Sequence, residues 1–303
     1  MSGREHLDTE RADPATARLG ELARDDAAAA VDLVLDADAG VVAALRAARA
    51  ELAAAVELVA GRLARGGRLV YVGAGTSGRL GLLDAVECPP TFGTDPDRVQ
   101  AVLAGGPGAF LRAVEGAEDD ADAAATELAE RGLGSDDVVL GIAAGGTTPF
   151  VHGALDFARG RGAATIFLAC VPFEQAPDRA DLSLRLVTGP EVLAGSTRMK
   201  AGTATKLALN TLSTLVMARL GKVHGNRMVD VDTSTNAKLV ERGRGLVRDL
   251  VGCDGARAAA LLEAAEGHVK TAVVMGALGL DREAAAARLE ASGGFLDRAL
   301  DAG

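Results

Sequence analysis

Three stretches of the chain carry residue types that could hold a phosphate, and one glutamate, Glu87, has surroundings suited to proton transfer. In the first stretch, Gly73-Ala74-Gly75-Thr76-Ser77-Gly78 follows the apolar run Leu69-Val70-Tyr71-Val72 and precedes a helical segment, Arg79 to Val86. A strand-to-helix turn aims free backbone N–H groups and the positive end of a helix dipole at an anion. Glycine lets the backbone come close, and Thr76 and Ser77 add hydroxyl donors. In the second, Val138-Val139-Leu140-Gly141-Ile142 ends in Ala143-Ala144-Gly145-Gly146-Thr147-Thr148. Pro149 then suits the first position of a helix running to Arg159. Gly145, Thr147 and Thr148 could form a second rim of the same pocket, although such turns before proline are usually structural. In the third, Gly195-Ser196-Thr197-Arg198-Met199-Lys200 follows Glu191 at the start of a long helix. Ser196 or Thr197 could cap that helix, and Arg198 and Lys200 could balance an anion. Glu191 is a candidate acid/base group or ligand anchor.

Gly73, Gly75 and Gly78 also fit the dinucleotide pattern G-x-G-x-x-G. That reading needs a carboxylate near the end of the second strand to hold the ribose. The second apolar run, Val99 to Leu103, ends in Ala104-Gly105-Gly106, and Asp95 and Asp97 precede it. A phosphomonoester therefore fits this turn better than a nicotinamide dinucleotide does.

Glu87 lies in Asp84-Ala85-Val86-Glu87-Cys88-Pro89-Pro90-Thr91. Cys88 and Pro89 each precede a proline, which disfavours helix at both. The helix is predicted to end at about Glu87, with stiff backbone after it. Stiff backbone can fix a carboxylate for acid/base work, although a helix-terminal surface glutamate is the commoner outcome. Glu115 follows the Gly105-Gly106 turn, beside an acidic cluster, Glu118-Asp119-Asp120-Asp122, that reads as a solvated helix face. Cys88 reads as a buried structural thiol. His6, His152, His224 and His268 have no ligand-like spacing, His224 being a lone histidine in a glycine-rich turn, and no metal site is predicted.

Positioning such residues takes a parallel sheet. Apolar runs at 69–72, 99–103, 138–142, 165–169 and 184–187 alternate with helical segments, the pattern of strands covered on both faces. The expected fold is a doubly wound α/β sandwich over residues 61–225, with ligands beyond the carboxyl ends of the strands. Residues 1–60 read as an N-terminal helical segment, helical from about residue 15 and ended by Gly66-Gly67, and residues 240–303 as a small helical C-terminal region. The 303 residues are 49% apolar and only 3% aromatic, so the core must be Ala, Val and Leu. A net charge of −10 argues against nucleic acid as a main partner. Three scattered cysteines give no disulfide or zinc framework, the polar start Met1 to His6 lacks a secretory pattern, and no apolar run is long enough to span a bilayer. The default is a soluble protein in the reducing cytoplasm, with no membrane partner.

Together these stretches resemble the N-acetylmuramic acid 6-phosphate etherases, of the sugar isomerase (SIS) fold. The likeness rests on Tyr71 to Gly81, Leu83 to Thr91, Val114 to Asp119, Gly189 to Lys206, Lys222 to Asp232 and Asn236 to Leu239, and runs from about Thr9 to Phe295. It implies a homodimeric lyase of cell-wall recycling that acts on a small sugar phosphate and uses no metal or organic cofactor. It places the family's proton donor on Glu87 and its second acid/base residue on Glu115. Such chemistry needs one carboxylate ionised and the other protonated. Substrate or phosphate contacts are then expected at Gly75, Thr76, Ser77, Gly145, Thr147, Thr148, Glu191, Ser196, Thr197 and Lys200. The chain departs from the family where Ser-Gly-Arg/Asn-Thr-Pro-Tyr becomes Gly145-Gly146-Thr147-Thr148-Pro149-Phe150, and where Asn-Pro becomes Val171-Pro172. One hydroxyl is missing at Gly145 and one cation or amide at Thr147. Phosphate affinity is expected to be weaker by about two- to tenfold per lost neutral hydrogen bond. The competing readings are a non-catalytic sugar-phosphate sensor and a sugar-phosphate isomerase on the same fold.

Overall fold

The computed structural model describes residues 7–231, 233 and 237–301. The resemblance positions Asp232 and Asn236, and the start of the chain through His6, lie outside the described residues. The described chain forms two compact units, one of residues up to Ala85 with Asp97–Leu212, the other of Val86–Pro96 with the residues from Ser213 onward.

The first unit begins with four helices, α1 (Leu19–Asp25), α2 (Ala27–Asp38), α3 (Val41–Ala47) and α4 (Arg49–Ala64). Asp26 starts α2 by accepting a hydrogen bond from the Ala29 N–H at 3.1 Å. Gly66, at φ +98°, ends the run as the double glycine predicts. There follow β1 (Leu69–Gly73), α5 (Gly75–Phe92), β2 (Val99–Leu103), α6 (Ala121–Glu130), β3 (Val138–Ile142), α7 (Pro149–Gly160), β4 (Ala164–Ala169), β5 (Leu182–Arg185) and α8 (Lys200–Arg219). The five strands form one sheet in the order β2-β1-β3-β4-β5, every pair parallel. β1, β3 and β4 are buried along their whole length, which explains their unbroken apolar runs. One side of the sheet packs Val70, Val72, Val139, Phe167 and Ala169 against Leu128, Phe150, Val151 and Leu155. The doubly wound parallel fold is thus as the sequence implied.

Three details depart from the sequence reading. The helix through Glu87 does not stop there: α5 continues through Pro89 and Pro90 to Phe92. Proline biases its predecessor away from helix but does not forbid it. The helix forgoes only the two N–H groups that would have met the Ala85 and Val86 carbonyls. The last turn closes where Gly93, at φ +58°, donates to the Pro89 carbonyl at 2.8 Å, and buried Cys88 and Phe92 anchor the extension. The fifth strand lies two residues earlier than expected, at 182–185, leaving Val187 exposed. The boundaries expected at 61 and 225 also move: α4 packs against β5 inside the first unit, while 86–96 and 213–225 belong to the second.

At the amino ends of β1 and β3, Arg68 and Asp137 lock the sheet. The guanidinium meets the carboxylate at 2.7 Å (Nη2) and 3.1 Å (Nε), and the carboxylate also accepts the N–H groups of Arg68 and Gly134 at 2.8 and 2.9 Å. Burial alone would raise Asp137's pKa; the bonds from Arg68 and the two backbone donors outweigh it and hold the carboxyl below its usual range.

The second unit adds a two-residue hairpin, β6 (Val223–His224) with β7 (Arg227–Met228), and the helices α9 (Ala237–Val251), α10 (Gly255–Ala264), α11 (Val269–Leu278), α12 (Arg282–Ala291) and α13 (Leu296–Asp301). His224, read as a turn residue, stands in β6; strands this short carry no readable alternation. Val229, Val247, Leu261, Val273 and Leu296 are among the residues of its own apolar core. Asp254 and Asp281 cap α10 and α12 by accepting N–H bonds from Arg257 and Ala284, each at 2.8 Å.

Candidate active site

The first glycine turn is built by interlocking backbones. A Cβ on Gly78 would overlap the Gly73 carbonyl, and one on Gly73 would lie 2.7 Å from the Gly78 nitrogen. These two glycines let α5 start directly on the end of β1. Gly75, at φ +53°, opens the helix and is exposed, and Thr76 and Ser77 in its first turn are half-buried. The turn therefore presents hydroxyls and unpaired helix N–H groups at the carboxyl end of the sheet.

Glu115 is brought to this turn by the segment after β2. It lines a cavity of about 200 Å³ together with Gly75, Arg79 and Glu118. Gly105, at φ +84°, packs against Val114, and Gly116, at φ +75°, turns the chain directly after Glu115. Arg79, one turn into α5, donates to the carbonyls of Ala109 at 2.8 Å and Phe110 at 3.1 Å. A cation on the helix of the glycine turn thus holds the segment that carries Glu115. The sequence reading missed this use of Arg79, since its partners lie thirty positions away. Glu87 is exposed on α5, within the part of that helix that belongs to the second unit.

The start of α8 is capped differently from expectation. Its first N–H groups, Lys200 and Ala201, are taken by Glu191, whose Oε2 and Oε1 accept them at 2.9 Å each. A carboxylate satisfies two donors where the hydroxyl of Ser196 or Thr197 satisfies one, and its charge suits the helix dipole. Glu191 is fully buried. Burial pushes its pKa up, the Ala201 and Lys200 N–H groups and the Lys200 charge act downward, and Asp38 adds to the rise. Lys200 is buried, while Ser196 and Thr197 are half-buried. A Cβ on Gly202 would lie 3.6 Å from Thr76 Cγ2, so this turn borders the first glycine turn.

The second glycine turn joins the same rim. Gly146, at φ +79°, donates to the Ala143 carbonyl at 2.9 Å and presses on Ala176. Thr147 and Thr148 are half-buried, and Thr148 precedes Pro149 at the first position of α7. The Cys170 N–H donates to the Ala144 carbonyl at 2.8 Å, and its thiol to the Ala201 carbonyl at 3.6 Å, tying β4 to both turns. Burial pushes the Cys170 thiol up to about 12, so it is no nucleophile.

A strap that no local sequence pattern announces crosses these turns. Leu7 is buried in the core, Asp8 and Gln175 exchange two hydrogen bonds of 2.9 Å, and the Thr9 carbonyl accepts the Gly195 N–H at 2.9 Å. A Cβ on Gly145 would lie 3.4 Å from Leu7 Cδ1 and 3.8 Å from Thr9 Oγ1. Only long-range contacts define this segment, and no local pattern announces them. Among the described residues, no cluster of three His, Cys, Asp or Glu side chains is placed to hold a metal ion.

A doubly wound parallel sheet with hydroxyl-bearing glycine turns at its carboxyl edge is the architecture of the sugar isomerase (SIS) fold. The family described as the glucokinase regulatory protein N-terminal SIS domain matches residues 51–159. Similar solved structures include phosphoheptose isomerases from Francisella tularensis (17% identical, 65% of this chain and 98% of that one, TM-score 0.47) and Neisseria gonorrhoeae (18%, 65% and 99%, TM-score 0.46). Proteins called N-acetylmuramic acid 6-phosphate etherase are far more similar in sequence. That of Synechocystis is 54% identical over 100% of this chain and 98% of its own. The Synechococcus protein is 57% identical over 92% and 87%, and the Gloeobacter violaceus protein 54% over 98% and 96%. The chain belongs to the N-acetylmuramic acid 6-phosphate etherase family.

Proposed function

We infer that this protein cleaves the lactyl ether of N-acetylmuramic acid 6-phosphate with water, releasing N-acetylglucosamine 6-phosphate and D-lactate in cell-wall recycling. The observation that carries this is identity above one half to etherases over essentially the whole chain. An ether resists direct hydrolysis at neutral pH. In the ring-opened sugar, the C2 proton is α to the C1 aldehyde and can be removed by a carboxylate. The C3–O bond then breaks as a proton reaches the departing lactate oxygen, and water adds to C3 of the unsaturated aldehyde. We assign proton donation to Glu87 and the second acid/base role to Glu115. The place of Glu115 in a cavity with Gly75 supports its part.

The phosphate is assigned to Gly75, Thr76 and Ser77, with Thr147, Thr148, Ser196 and Thr197 around it and the charge of Lys200 behind. Holding it there orients the reacting carbons without stabilising the ground state of the ether itself. Glu191 supports the site by fixing the start of α8, which its two backbone hydrogen bonds favour over direct ligand contact. The working form is a cytoplasmic homodimer. Sugar phosphates are made and used in that compartment, and exposed Val31, Leu35 and Val42 on α2 and α3 offer apolar surface to a second copy. Among the described residues, no helix is long and apolar enough to cross a membrane.

Incubation with N-acetylmuramic acid 6-phosphate in ¹⁸O-water tests the reaction. The label should enter C3 of the sugar, and D-lactate should keep the unlabelled ether oxygen. The match of residues 51–159 to a regulatory protein's domain favours one second reading, a non-catalytic sugar-phosphate sensor. Sugar phosphate binding without lactate release at high protein concentration would establish that reading instead.

A further inference from the structure

The second unit holds a cavity of about 610 Å³ lined by none of the residues assigned to the etherase site. Its wall runs from Pro89 and Thr94 to Lys222, Asp230, His268 and Lys270. The volume lies within the ~300–1,000 Å³ range of small-molecule sites. Two ammonium groups share a single carboxylate there. Asp230 Oδ2 lies 2.8 Å from Lys270 Nζ and 3.3 Å from Lys222 Nζ. Lys270 also donates to the Gly294 carbonyl at 2.9 Å and the Gly221 carbonyl at 3.4 Å, so its three protons are committed. Among the described residues, Lys222 makes only its long bond to Asp230, which leaves two donors. Glu266, the other carboxylate on the wall, is paired with Arg282. Among the described residues, the buried Thr94 hydroxyl has no hydrogen-bond partner, on a residue only 8% exposed. An unpaired buried hydroxyl is costly. Among the described residues, the wall therefore offers two Lys222 donors and the Thr94 hydroxyl to an occupant, while both of its carboxylates are already paired.

We propose that this cavity is a second anion site, which takes a small phosphate-bearing molecule on Lys222 and Thr94. The wall at Pro89 belongs to the same helical stretch as Glu87, two residues earlier, so an occupant would stiffen the backbone that carries Glu87. The site is independent of the etherase reading. Its failure would leave lactate release untouched, and loss of that activity would leave this binding intact.

The test is equilibrium dialysis of the whole chain with radiolabelled inorganic phosphate, and in parallel with glucose 6-phosphate. Thr94→Val should weaken one class of site by about two- to tenfold, the loss of one neutral hydrogen bond. Lys222→Met should weaken the same class by about tenfold or more. Thr94→Val should also unfold at the same or a higher temperature than the native chain without phosphate, yet gain less when phosphate is added. Equal affinity for the two probes places free phosphate in the cavity, and a preference for the sugar phosphate places an organic body there as well; both support the site. Phosphate binding that neither substitution changes, or no binding at millimolar phosphate, overturns it.

Discussion

Arg79 gives the sharpest test of how the fold serves catalysis. Its guanidinium holds the Ala109 and Phe110 carbonyls at 2.8 and 3.1 Å, and that segment leads to Glu115 in the same cavity. Arg79→Met removes both bonds and keeps much of the apolar stem. Each bond is partly open to water, so about 0.5–1.5 kcal/mol apiece is a fair measure. If the segment must recover that energy to bring Glu115 into place, about 1–3 kcal/mol is lost from the transition state, about 5- to 150-fold in rate. The loss should fall on kcat, because the guanidinium is committed to the two carbonyls of the segment. Thermal unfolding should shift by only a few degrees. Arg79→Lys, which keeps the charge but loses the fork that spans two carbonyls, should fall between. Lactate release under saturating and limiting substrate separates the terms. A kcat/KM within about twofold of the native enzyme, or a loss confined to KM, would refute the positioning role.

Glu87→Gln and Glu115→Gln should each lower lactate release by at least about 10² while folding is kept, since both side chains are exposed; near-normal turnover in either would remove that residue from the mechanism. Gly145→Ser restores the family's hydroxyl at a position whose Cβ meets nothing nearer than 3.4 Å, so KM should fall by about two- to tenfold with kcat unchanged; an unaltered KM would mean that a hydroxyl here does not meet the phosphate. Asp137→Asn should cost about 1.5–3 kcal/mol of stability at neutral pH by breaking the pair with Arg68. Because the folded state holds Asp137's pKa low, its stabilisation is complete above the ordinary aspartate value of about 4 and fades as pH falls below it. The gap between native and variant denaturation midpoints should narrow in acid, and a gap that widened there would contradict the assignment.

Continuous apolar runs made β1 and β3 legible almost to the residue, because strands buried on both faces need no alternation, while β2, at the sheet edge and half-buried at Gln100 and Ala101, was marked by the Gly105-Gly106 turn after it. The start of α7 was legible from Pro149. What sequence reading lost was long-range. The carboxylate that caps α8 stands nine residues before the helix, so the nearer hydroxyls at Ser196 and Thr197 looked better placed. Arg79 was visible as part of a motif, but its carbonyl partners follow another strand. Leu7 and Thr9 gain their place only once the carboxyl ends of β3 and β4 exist to receive them. The end of α5 was misplaced because proline rules describe local preference, and buried Cys88 and Phe92 override it.

The interlock of Gly73 with Gly78 separates two kinds of constraint that the motif G-x-G-x-x-G runs together. Any side chain at either glycine strikes the other's backbone, whatever the pocket holds. These positions therefore stay fixed when the ligand of such a turn changes over evolutionary time. Gly75, on the cavity wall, and the half-buried Thr76 and Ser77 carry no such interlock, and there a lineage could exchange one phosphorylated compound for another. A search for distant relatives that scores the outer glycines gathers proteins by architecture. One that scores Gly75, Thr76 and Ser77 sorts those proteins by what they bind.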